Sequence, residues 1–510
     1  MFKKFLASIP YTLIAIIIIA SFLRLYNLIP LDNLMLPPGL YPDEAMNGNN
    51  AQEAIDIKNF KFFYPENFGR EGLFINIQGA FIAVLGHKPW ALRLPSAIFG
   101  ILTVLGLYFL TKELFKDKRL ALLSAFLLAI NFWHINFSRI GFRAIMAPAF
   151  LVWAIYLLLK SFNQTKNNYQ LPITNYQNNW KLVIRNWALP ALAGLIYGLG
   201  FHSYIAYRAT PLLILMIFAM IYRQNNELSK KQFWTVFSIF SIAALMAFLP
   251  LGIYFLNNPT DFLGRTAGIS IFSSQAPLKD LGLNILKTAG MFNIFGDFNW
   301  RHNVAGKPEL FWPVGIMFLI GIIKILKLPR LEIGNWKLGI PLIWLTVVLL
   351  PVVISNEGLP HALRSILAVP PVFIIAAIGG IKIFEYLKTK LNPRLLLISC
   401  LILLSLLIFE SYVTYFITWG GNPNVKNAFA YNDYIIAGEL NKLPKELPKY
   451  IIVSDAQGTI RRDTPISLQS ILFLTDTFTD EKRAEKNFHY LTKEQVKSEK
   501  IPIGSFVISL

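Results

Sequence analysis

Long apolar runs alternate with short polar connections along most of the chain. Eleven of these runs come close to or reach the roughly 17–25 residues that a helix needs to cross a bilayer. They lie at residues 9–29, 95–114, 119–136, 143–161, 187–203, 208–223, 232–255, 310–327, 338–355, 364–384 and 395–417. The pattern predicts an all-α polytopic membrane protein with about eleven transmembrane helices, and it leaves a twelfth span open.

The positions of the positive charges set the predicted orientation. Cytoplasmic loops carry an excess of Lys and Arg. The cations cluster at Lys3-Lys4 and in the connections 112–119, 166–185, 223–231, 324–337 and 382–394. We therefore expect a retained first span, a cytoplasmic N-terminus and an extracytoplasmic C-terminus. The apolar segment Leu73–Leu85 is short for a crossing, so we expect an interfacial or re-entrant helix within a long first external loop, residues 30–94.

The character of the sequence changes near its C-terminal end. Residues 1–418 form the predicted transmembrane catalytic domain, whereas residues 419–510 are more charged. Short apolar strands are predicted at Tyr450–Val453 and Ser505–Leu510, with a helical stretch around Pro465–Leu474 between them. This pattern predicts a small extracytoplasmic α/β domain.

Composition excludes several classes of protein. Of the 510 residues, 55% are hydrophobic and 15% charged, whereas soluble domains carry about 25% charged residues. The net charge of +19 is spread over short loops between apolar runs, so topology and anionic lipid explain it better than a nucleic-acid partner does. The single cysteine, Cys400, excludes an internal disulfide and a cysteine-based zinc cluster. The absence of disulfides and the compact single-chain form favour a prokaryotic plasma membrane over the endoplasmic reticulum.

Asp43 and Glu44 are adjacent carboxylates a few residues beyond the first apolar run. Charges are costly near hydrocarbon, so such a pair is a functional-site hypothesis. A carboxylate in this position can remove the proton of an acceptor hydroxyl. It can also cap a helix, with Asp43 as the N-cap of the run Glu44–Ile57. The two interpretations are compatible.

The predicted external connections are unusually rich in Arg and His. These side chains could bind a lipid-linked phosphate, since Arg forms bidentate pairs with phosphate oxygens. The predicted donor phosphate-binding residues are Arg93, Arg139, Arg208 and Arg364, and further candidate substrate contacts are Arg143, His202, Tyr207, Arg265, His302 and His361. Each cation could instead be an interfacial anchor or the partner of a nearby carboxylate. The histidines are scattered along the sequence, so no metal site is predicted and no cofactor is firmly implied, although a divalent metal stays open.

Four motifs together resemble one superfamily. They are Tyr41-Pro-Asp-Glu-Ala45; Glu71–Gln78 leading to Pro89–Ser96; Tyr108–Phe115 followed by Arg119-Leu-Ala-Leu-Leu; and Phe137-Ser-Arg139 with Arg143. With these motifs the chain resembles the GT-C glycosyltransferases, which include dolichyl-phosphate-mannose protein mannosyltransferases and the bacterial aminoarabinose transferase that modifies lipid A. The resemblance covers about residues 9–160.

The resemblance implies an inverting sugar transfer from a polyprenyl-phosphate donor to a hydroxyl acceptor on the outer face of the membrane. Asp43 matches the catalytic base, Glu44 its neighbour, and Arg93 the arginine of an Ala-x-Arg-x-Pro segment. The chain departs from the family pattern at Asn67–Leu73 and at Arg143–Met146. These departures leave the donor sugar and the acceptor open. The sequence does not indicate the oligomeric state.

Three other functions compete with this interpretation. A flippase or transporter of a lipid-linked glycan would more typically place charges or broken helices near the bilayer midplane, whereas the interiors of the predicted spans are nearly free of charge. A glycan polymerase or ligase of another fold would not require the Asp-Glu pair. A non-catalytic GT-C-like subunit would retain the fold without the activity.

Overall fold

The computed structural model describes residues 10–30, 35–169, 180–224, 228–263, 268, 270–327, 336–453, 465–498 and 500–510. These residues fall into two compact units. The first, called the helical unit, combines Met1–Arg24, Ile98–Ser138 and Arg143–Tyr415. The second, called the mixed unit, combines Leu25–Ala97, Arg139–Phe142 and Phe416–Leu510.

The helical unit consists mainly of apolar helices. Its helices are Tyr11–Leu25, Pro89–Phe115 from Ile98 onward, Lys118–Ala129, Phe132–Phe137, Met146–Tyr169, Trp180–Gly200, Thr210–Gln224, Lys230–Asn257, Pro259–Leu263, Pro277–Gly290, Trp312–Leu326, Trp336–Val353, Val369–Lys388 and Pro393–Tyr412. A π-helical segment, Val413–Trp419, follows the last of these.

Small residues allow the long helices to approach one another closely. A Cβ added at Gly379 would meet the backbone oxygen of Met317, and one added at Gly321 would meet that of Ile375. Helices Trp312–Leu326 and Val369–Lys388 are therefore in backbone contact, as is common where helices pack inside a membrane.

Six helices in the described part of the chain are long and apolar enough to cross a membrane. They are Pro89–Phe115, Arg143–Thr165, Ile205–Arg223, Lys230–Asn257, Ile366–Lys388 and Pro393–Trp419. Four further predicted spans coincide with the shorter apolar helices Tyr11–Leu25, Trp187–Gly200, Trp312–Leu326 and Lys337–Val353. The predicted fold class is confirmed.

The predicted span 119–136 is not one helix. It is divided into Lys118–Ala129 and Phe132–Phe137. The break occurs because Asn131 becomes an N-cap: its side-chain oxygen accepts a hydrogen bond from the His134 backbone N–H at 3.4 Å. An asparagine favours this capping position over a helix interior.

The mixed unit contains a small parallel sheet. Its central strand, Lys449–Val453, pairs with Phe488–Thr492 on one side and with Phe506–Ser509 on the other. Buried apolar side chains from this sheet and from helix Gln469–Thr475 form a core, among them Ile451, Leu472 and Phe488. The predicted strands and helix are thus found, but strand Phe488–Thr492 was missed because His489, Tyr490 and Thr492 obscure its apolar pattern.

The mixed unit also holds most of the long loop predicted at residues 30–94. Its further elements are helices Pro42–Asp56, Gly72–Leu85, Pro423–Ala428, Tyr431–Leu440, Asp480–Lys486 and Gln495–Ser498, the first turns of Pro89–Phe115, and the hairpin Phe63–Tyr64 with Arg70–Glu71. The predicted division at residues 418 and 419 lies close to the observed one between 415 and 416. The unit that includes the C-terminal segment, however, also includes residues 25–97, which the prediction placed with the transmembrane part. The predicted two-domain division stays a prediction.

Candidate active site

Asp43 and Glu44 lie in the first turn of helix Pro42–Asp56. Tyr41 is the N-cap, with an extended backbone (φ −66°, ψ 141°), and Pro42 is the first helical residue. Proline suits this position because its φ is already helical and its missing N–H would have no partner. The N-cap role predicted for Asp43 is therefore wrong, since the helix begins before it. Both carboxylates still lie at the end of the helix dipole that stabilises negative charge.

The carboxylate of Glu44 is completely buried and fully hydrogen-bonded. Its exposed fraction is 0%. Arg93 donates to both of its oxygens, from Nε to Oε1 and from Nη2 to Oε2, each at 2.9 Å. The backbone N–H of Gly141 donates to Oε1 at 2.6 Å, and that of Tyr41 to Oε2 at 3.3 Å. These four bonds hold Glu44 in one position.

Arg93 is as deeply buried as Glu44, with an exposed fraction of 0%. Besides its two bonds to Glu44, it donates to the carbonyl oxygens of Pro37 at 2.6 Å and Gly39 at 3.0 Å. Its guanidinium thus ties the segment before the acidic pair to helix Pro89–Phe115. In this structure the guanidinium binds Glu44 and two backbone carbonyl groups. The phosphate-binding role suggested by the sequence stays a prediction.

Asp43, by contrast, is only partly buried. Its Oδ1 accepts a hydrogen bond from the Asn67 side-chain amide at 2.8 Å. No hydrogen-bond partner of Oδ2 is found among the described residues. Successive residues of a helix point about 100° apart, so Asp43 faces another direction than the buried Glu44. One of the two acids is therefore fixed inside the mixed unit, and the other is left accessible.

The partner of Asp43 comes from the loop of the hairpin that includes Phe63–Tyr64. Asn67 has φ +53°, a left-handed conformation that asparagine tolerates better than most residues. This conformation lies in the turn between the two strands. The sequence motif did not indicate the contact, because it depends on how the turn folds back onto helix Pro42–Asp56.

A buried network of polar side chains holds helix Pro42–Asp56 in place. Arg70 donates to the side-chain oxygens of Asn47 at 2.7 Å and Asn50 at 2.6 Å, and Asn47 donates to the Gly141 backbone oxygen at 3.1 Å. Sequence reasoning assigned no role to Arg70 and so missed this contact. The available signal was the run of asparagines, which are poor helix formers and need a tertiary reason to be inside a helix.

Arg139 also belongs to the mixed unit and is buried. It donates to the carbonyl oxygens of Tyr26 at 2.7 Å and Leu36 at 2.9 Å, and its guanidinium lies 5.1 Å from the ring centroid of Phe416. These contacts stabilise the backbone on both sides of residues 31–34. Its predicted phosphate-binding role stays a prediction.

Arg208 and Arg364 lie in the helical unit and are only partly buried. Arg364 donates to Glu357 Oε2 at 2.7 Å and to the Glu357 carbonyl oxygen at 2.8 Å, and it also bonds to Ser355. Arg208 donates to the Phe262 carbonyl oxygen, and its guanidinium lies 4.5 Å from the centroid of the Phe262 ring. Both retain access to solvent that Arg93 and Arg139 lack.

The remaining candidate contacts differ in how accessible they are. Arg143 is partly buried, and its guanidinium carbon lies 5.9 Å from the centroid of the Tyr204 ring. His202 is buried, with Nε2 at 2.9 Å from the Ala247 carbonyl oxygen. Tyr207 is fully buried. Arg265 lies outside the described residues. Their substrate contacts stay predictions.

The fold brings two of the scattered histidines together. In the helical unit, His302 and His361 both lie against Asp297, at 2.8 Å and 3.8 Å between each Nδ1 and Asp297 Oδ2. These three side chains could hold a metal ion. Burial, together with the neighbouring His302 and Arg364, lowers the pKa of His361 well below its usual value. Sequence reasoning missed the cluster because its two chain segments are far apart in sequence.

Comparison with known proteins gives a match of one segment to a family model and a similarity in fold. Residues 73–174 match the model of the family described as dolichyl-phosphate-mannose-protein mannosyltransferase. No sequence among curated proteins matches the chain significantly.

Several solved structures resemble the chain over most of its length, among them the following two. One is the archaeal oligosaccharyltransferase AglB from Archaeoglobus fulgidus in complex with an inhibitory peptide and a dolichol-phosphate. It is 16% identical to this chain with a TM-score of 0.53, and the match covers 93% of this chain and 64% of the AglB chain. The other is ArnT from Cupriavidus metallidurans bound to undecaprenyl phosphate. It is 13% identical with a TM-score of 0.54, and the match covers 95% of this chain and 90% of the ArnT chain. The chain thus spans less than two thirds of the archaeal enzyme. The protein has the multi-pass membrane fold of the GT-C glycosyltransferases, and the resemblance predicted from its motifs is confirmed.

Proposed function

We propose that the protein transfers a sugar from a polyprenyl-phosphate donor to a hydroxyl acceptor on the outer face of the membrane, with inversion and with Asp43 as general base. The observation that carries the proposal is the division between two adjacent acids. Glu44 is buried and accepts four hydrogen bonds. Asp43 remains partly exposed and uses one oxygen for Asn67.

The proposed reaction is a single displacement. The acceptor oxygen attacks the anomeric carbon, its proton passes to Asp43, and the bond from that carbon to the phosphate oxygen breaks, so the lipid phosphate leaves. General-base assistance of this kind contributes roughly 10²–10⁴-fold to the rate. Glu44 acts as a positioning residue: by fixing the first helical turn, it holds the backbone of Asp43 in place.

The donor class is supported by the lipids named with the similar structures. ArnT was solved with undecaprenyl phosphate and AglB with a dolichol-phosphate. Arg208 and Arg364, which are partly exposed residues, keep the phosphate-binding role predicted for them from the sequence. They would offset the charge that develops on the leaving phosphate. Arg93 and Arg139 are buried, and we assign them to holding the polypeptide around the acidic pair.

The distribution of positive charge along the sequence supports the proposed outer-face location. Cationic connections mark the cytoplasmic side, and the segment with Asp43 follows the first apolar helix, Tyr11–Leu25, beyond Lys3-Lys4. In the proposed orientation the N-terminus is cytoplasmic and Asp43 lies on the opposite side of the membrane. The C-terminus is extracytoplasmic in the same proposed orientation.

A transfer assay tests the proposal. The purified protein is reconstituted with native membrane lipids and proteins as acceptors and with undecaprenyl-phosphate that carries radiolabelled mannose, glucose or arabinose. We expect one donor to label an acceptor, Asp43→Asn to abolish most of the labelling, and Asp56→Asn, the same change at the other end of the helix, to retain it. Labelling by Asp43→Asn near the wild-type rate would contradict the base assignment. Transport of the lipid-linked sugar with no covalent product, or no labelling with any donor, would instead favour the flippase or the non-catalytic subunit.

A further inference from the structure

Three side chains with metal-ligating atoms meet in the helical unit, away from the acidic pair in sequence. Asp297 and His302 belong to the connection before helix Trp312–Leu326, and His361 to the connection before helix Val369–Lys388. One ligand atom from each lies within 4.8 Å of the others. Asp297 and His302 are 3% and 4% exposed, whereas His361 keeps some access to solvent.

The spacing of the three side chains suits a small cation. Asp297 Oδ2 lies 2.8 Å from His302 Nδ1 and 3.8 Å from His361 Nδ1, and the two imidazole rings are 5.0 Å apart at an angle of 32°. Ligand atoms that share a zinc ion at about 2.0–2.2 Å lie about 3–3.5 Å from each other. The two observed separations bracket that value.

The carboxylate of Asp297 is held by groups around it. The Ala362 backbone N–H donates to Oδ2 at 2.9 Å, and the Asn299 backbone N–H donates to Oδ1 at 2.8 Å. The Asp297 backbone N–H in turn donates to Glu309 Oε1 at 3.1 Å. Outer hydrogen bonds of this kind orient the ligands of a metal site and tune its affinity.

A short helix ties the two ligand-bearing connections together. In helix Phe132–Phe137, Trp133 donates from Nε1 to the Ala362 carbonyl oxygen at 2.9 Å, and Asn136 donates to the Arg301 carbonyl oxygen at 2.7 Å. Each of these backbone groups is directly next to one of the two histidines. The backbone next to each histidine is therefore held in place before any ion binds.

We propose that Asp297, His302 and His361 bind a divalent cation of the zinc class through one carboxylate oxygen and two imidazole nitrogens. This ligand set suits a borderline transition metal, whereas Mg²⁺ and Ca²⁺ prefer oxygen ligands. Three protein ligands leave a position for water or another oxygen. The ion joins the connection with His302 to the one with His361 and Arg364. The proposal does not depend on the role of Asp43.

Metal analysis of the purified protein tests this site. The full-length protein, without an affinity tag, is treated with a chelator, reloaded with ZnCl₂ and freed of unbound ion by gel filtration. Mass spectrometry should then find about one zinc ion per chain. His302→Gln, His361→Gln and Asp297→Asn should each weaken zinc binding by at least about tenfold. His489→Gln, a change in the mixed unit, should leave the zinc content unchanged.

A spectroscopic measurement covers the case in which the variants do not fold. Co²⁺ added to the chelated wild-type protein should give the visible absorption of a protein-bound ion with nitrogen and oxygen ligands, and added Zn²⁺ should remove it. If the wild-type protein retains no zinc and gives no Co²⁺ spectrum, the cluster is a hydrogen-bonded Asp–His pair and the proposal is overturned. Zinc bound equally by wild-type protein and all three folded variants would also overturn it.

Discussion

Arg93 donates two hydrogen bonds to the carboxylate of Glu44, one to each oxygen at 2.9 Å, and neither side chain is exposed to solvent. This pair connects the first turn of helix Pro42–Asp56 to the second turn of helix Pro89–Phe115. A buried ion pair of this kind contributes little net stability compared with apolar packing, but removal of one partner leaves an uncompensated buried charge. The position of the neighbouring Asp43 therefore depends on Arg93, although no hydrogen bond between Arg93 and Asp43 is found among the described residues.

The first prediction concerns this pair. Arg93→Ala should destabilise the protein by about 3–5 kcal/mol, because Glu44 would remain buried without its partner. Lys442→Ala serves as control: Lys442 and Glu439 form an ion pair with side chains 71% and 66% exposed, and exposed pairs contribute about 0–1 kcal/mol. Thermal unfolding in detergent measures both. Equal small effects of the two substitutions would contradict the structural role of Arg93.

The second prediction concerns the glycine in helix Pro42–Asp56. A Cβ at Gly48 would come within 2.5 Å of the Phe473 ring and 2.8 Å of Leu92. Gly48→Ala should therefore cost about 1–3 kcal/mol through overpacking.

Gly438 provides a matched control for this substitution. It also lies within a helix, but a Cβ there would meet nothing within 4 Å. Gly438→Ala should leave stability unchanged or raise it by up to about 1 kcal/mol, because alanine favours the helix. Chemical or thermal unfolding of both variants gives the comparison. If Gly48→Ala were as stable as Gly438→Ala, the close contact with Phe473 would be absent.

The third prediction is a pH dependence that arises from His87. Burial lowers the pKa of His87 to about 4 from a usual value of 6.5, and the ring stacks on Phe473 with centroids 3.9 Å apart. Between these two pKa values the unfolded chain binds the proton more readily than the folded one, so this contribution to stability is complete above pH 6.5 and is lost as the pH falls towards 4.

His87→Gln should remove this part of the pH dependence. Unfolding measured from pH 7.5 down to pH 4.5 should show a shallower loss of stability in the variant than in the wild-type protein. Parallel profiles of the two proteins would show that His87 has no depressed pKa. At pH 7.5 His87 is neutral in both states, so any difference there reflects the lost stacking on Phe473 rather than titration.

The transmembrane architecture could be predicted because it depends on local properties. Apart from the divided run at 119–136, the apolar runs of sufficient length became helices, and the strand predicted at Tyr450–Val453 is present as Lys449–Val453. The start of helix Pro42–Asp56 was misplaced because two local preferences compete at Asp43: aspartate is a favourable N-cap, but proline at the preceding position is a favourable first helical residue. Pro42 decided the outcome.

The parts that could not be predicted depend on contacts distant in sequence. The motif singled out Asp43 and Glu44 together, but their different environments depend on Arg93, Gly141 and Asn67. Likewise, the sequence offered no reason to pair His302 with His361, which meet only because two connections fold against Asp297.

The most direct test of the central claim separates donor binding from chemistry in Asp43→Asn. The substitution keeps the size of the side chain and its acceptor oxygen for Asn67, so folding and affinity for undecaprenyl phosphate should match those of the wild-type protein. Single-turnover transfer should fall by roughly 10²–10⁴-fold, because the variant lacks the base. A folded Asp43→Asn protein that binds the lipid and transfers sugar at the wild-type rate would contradict the account.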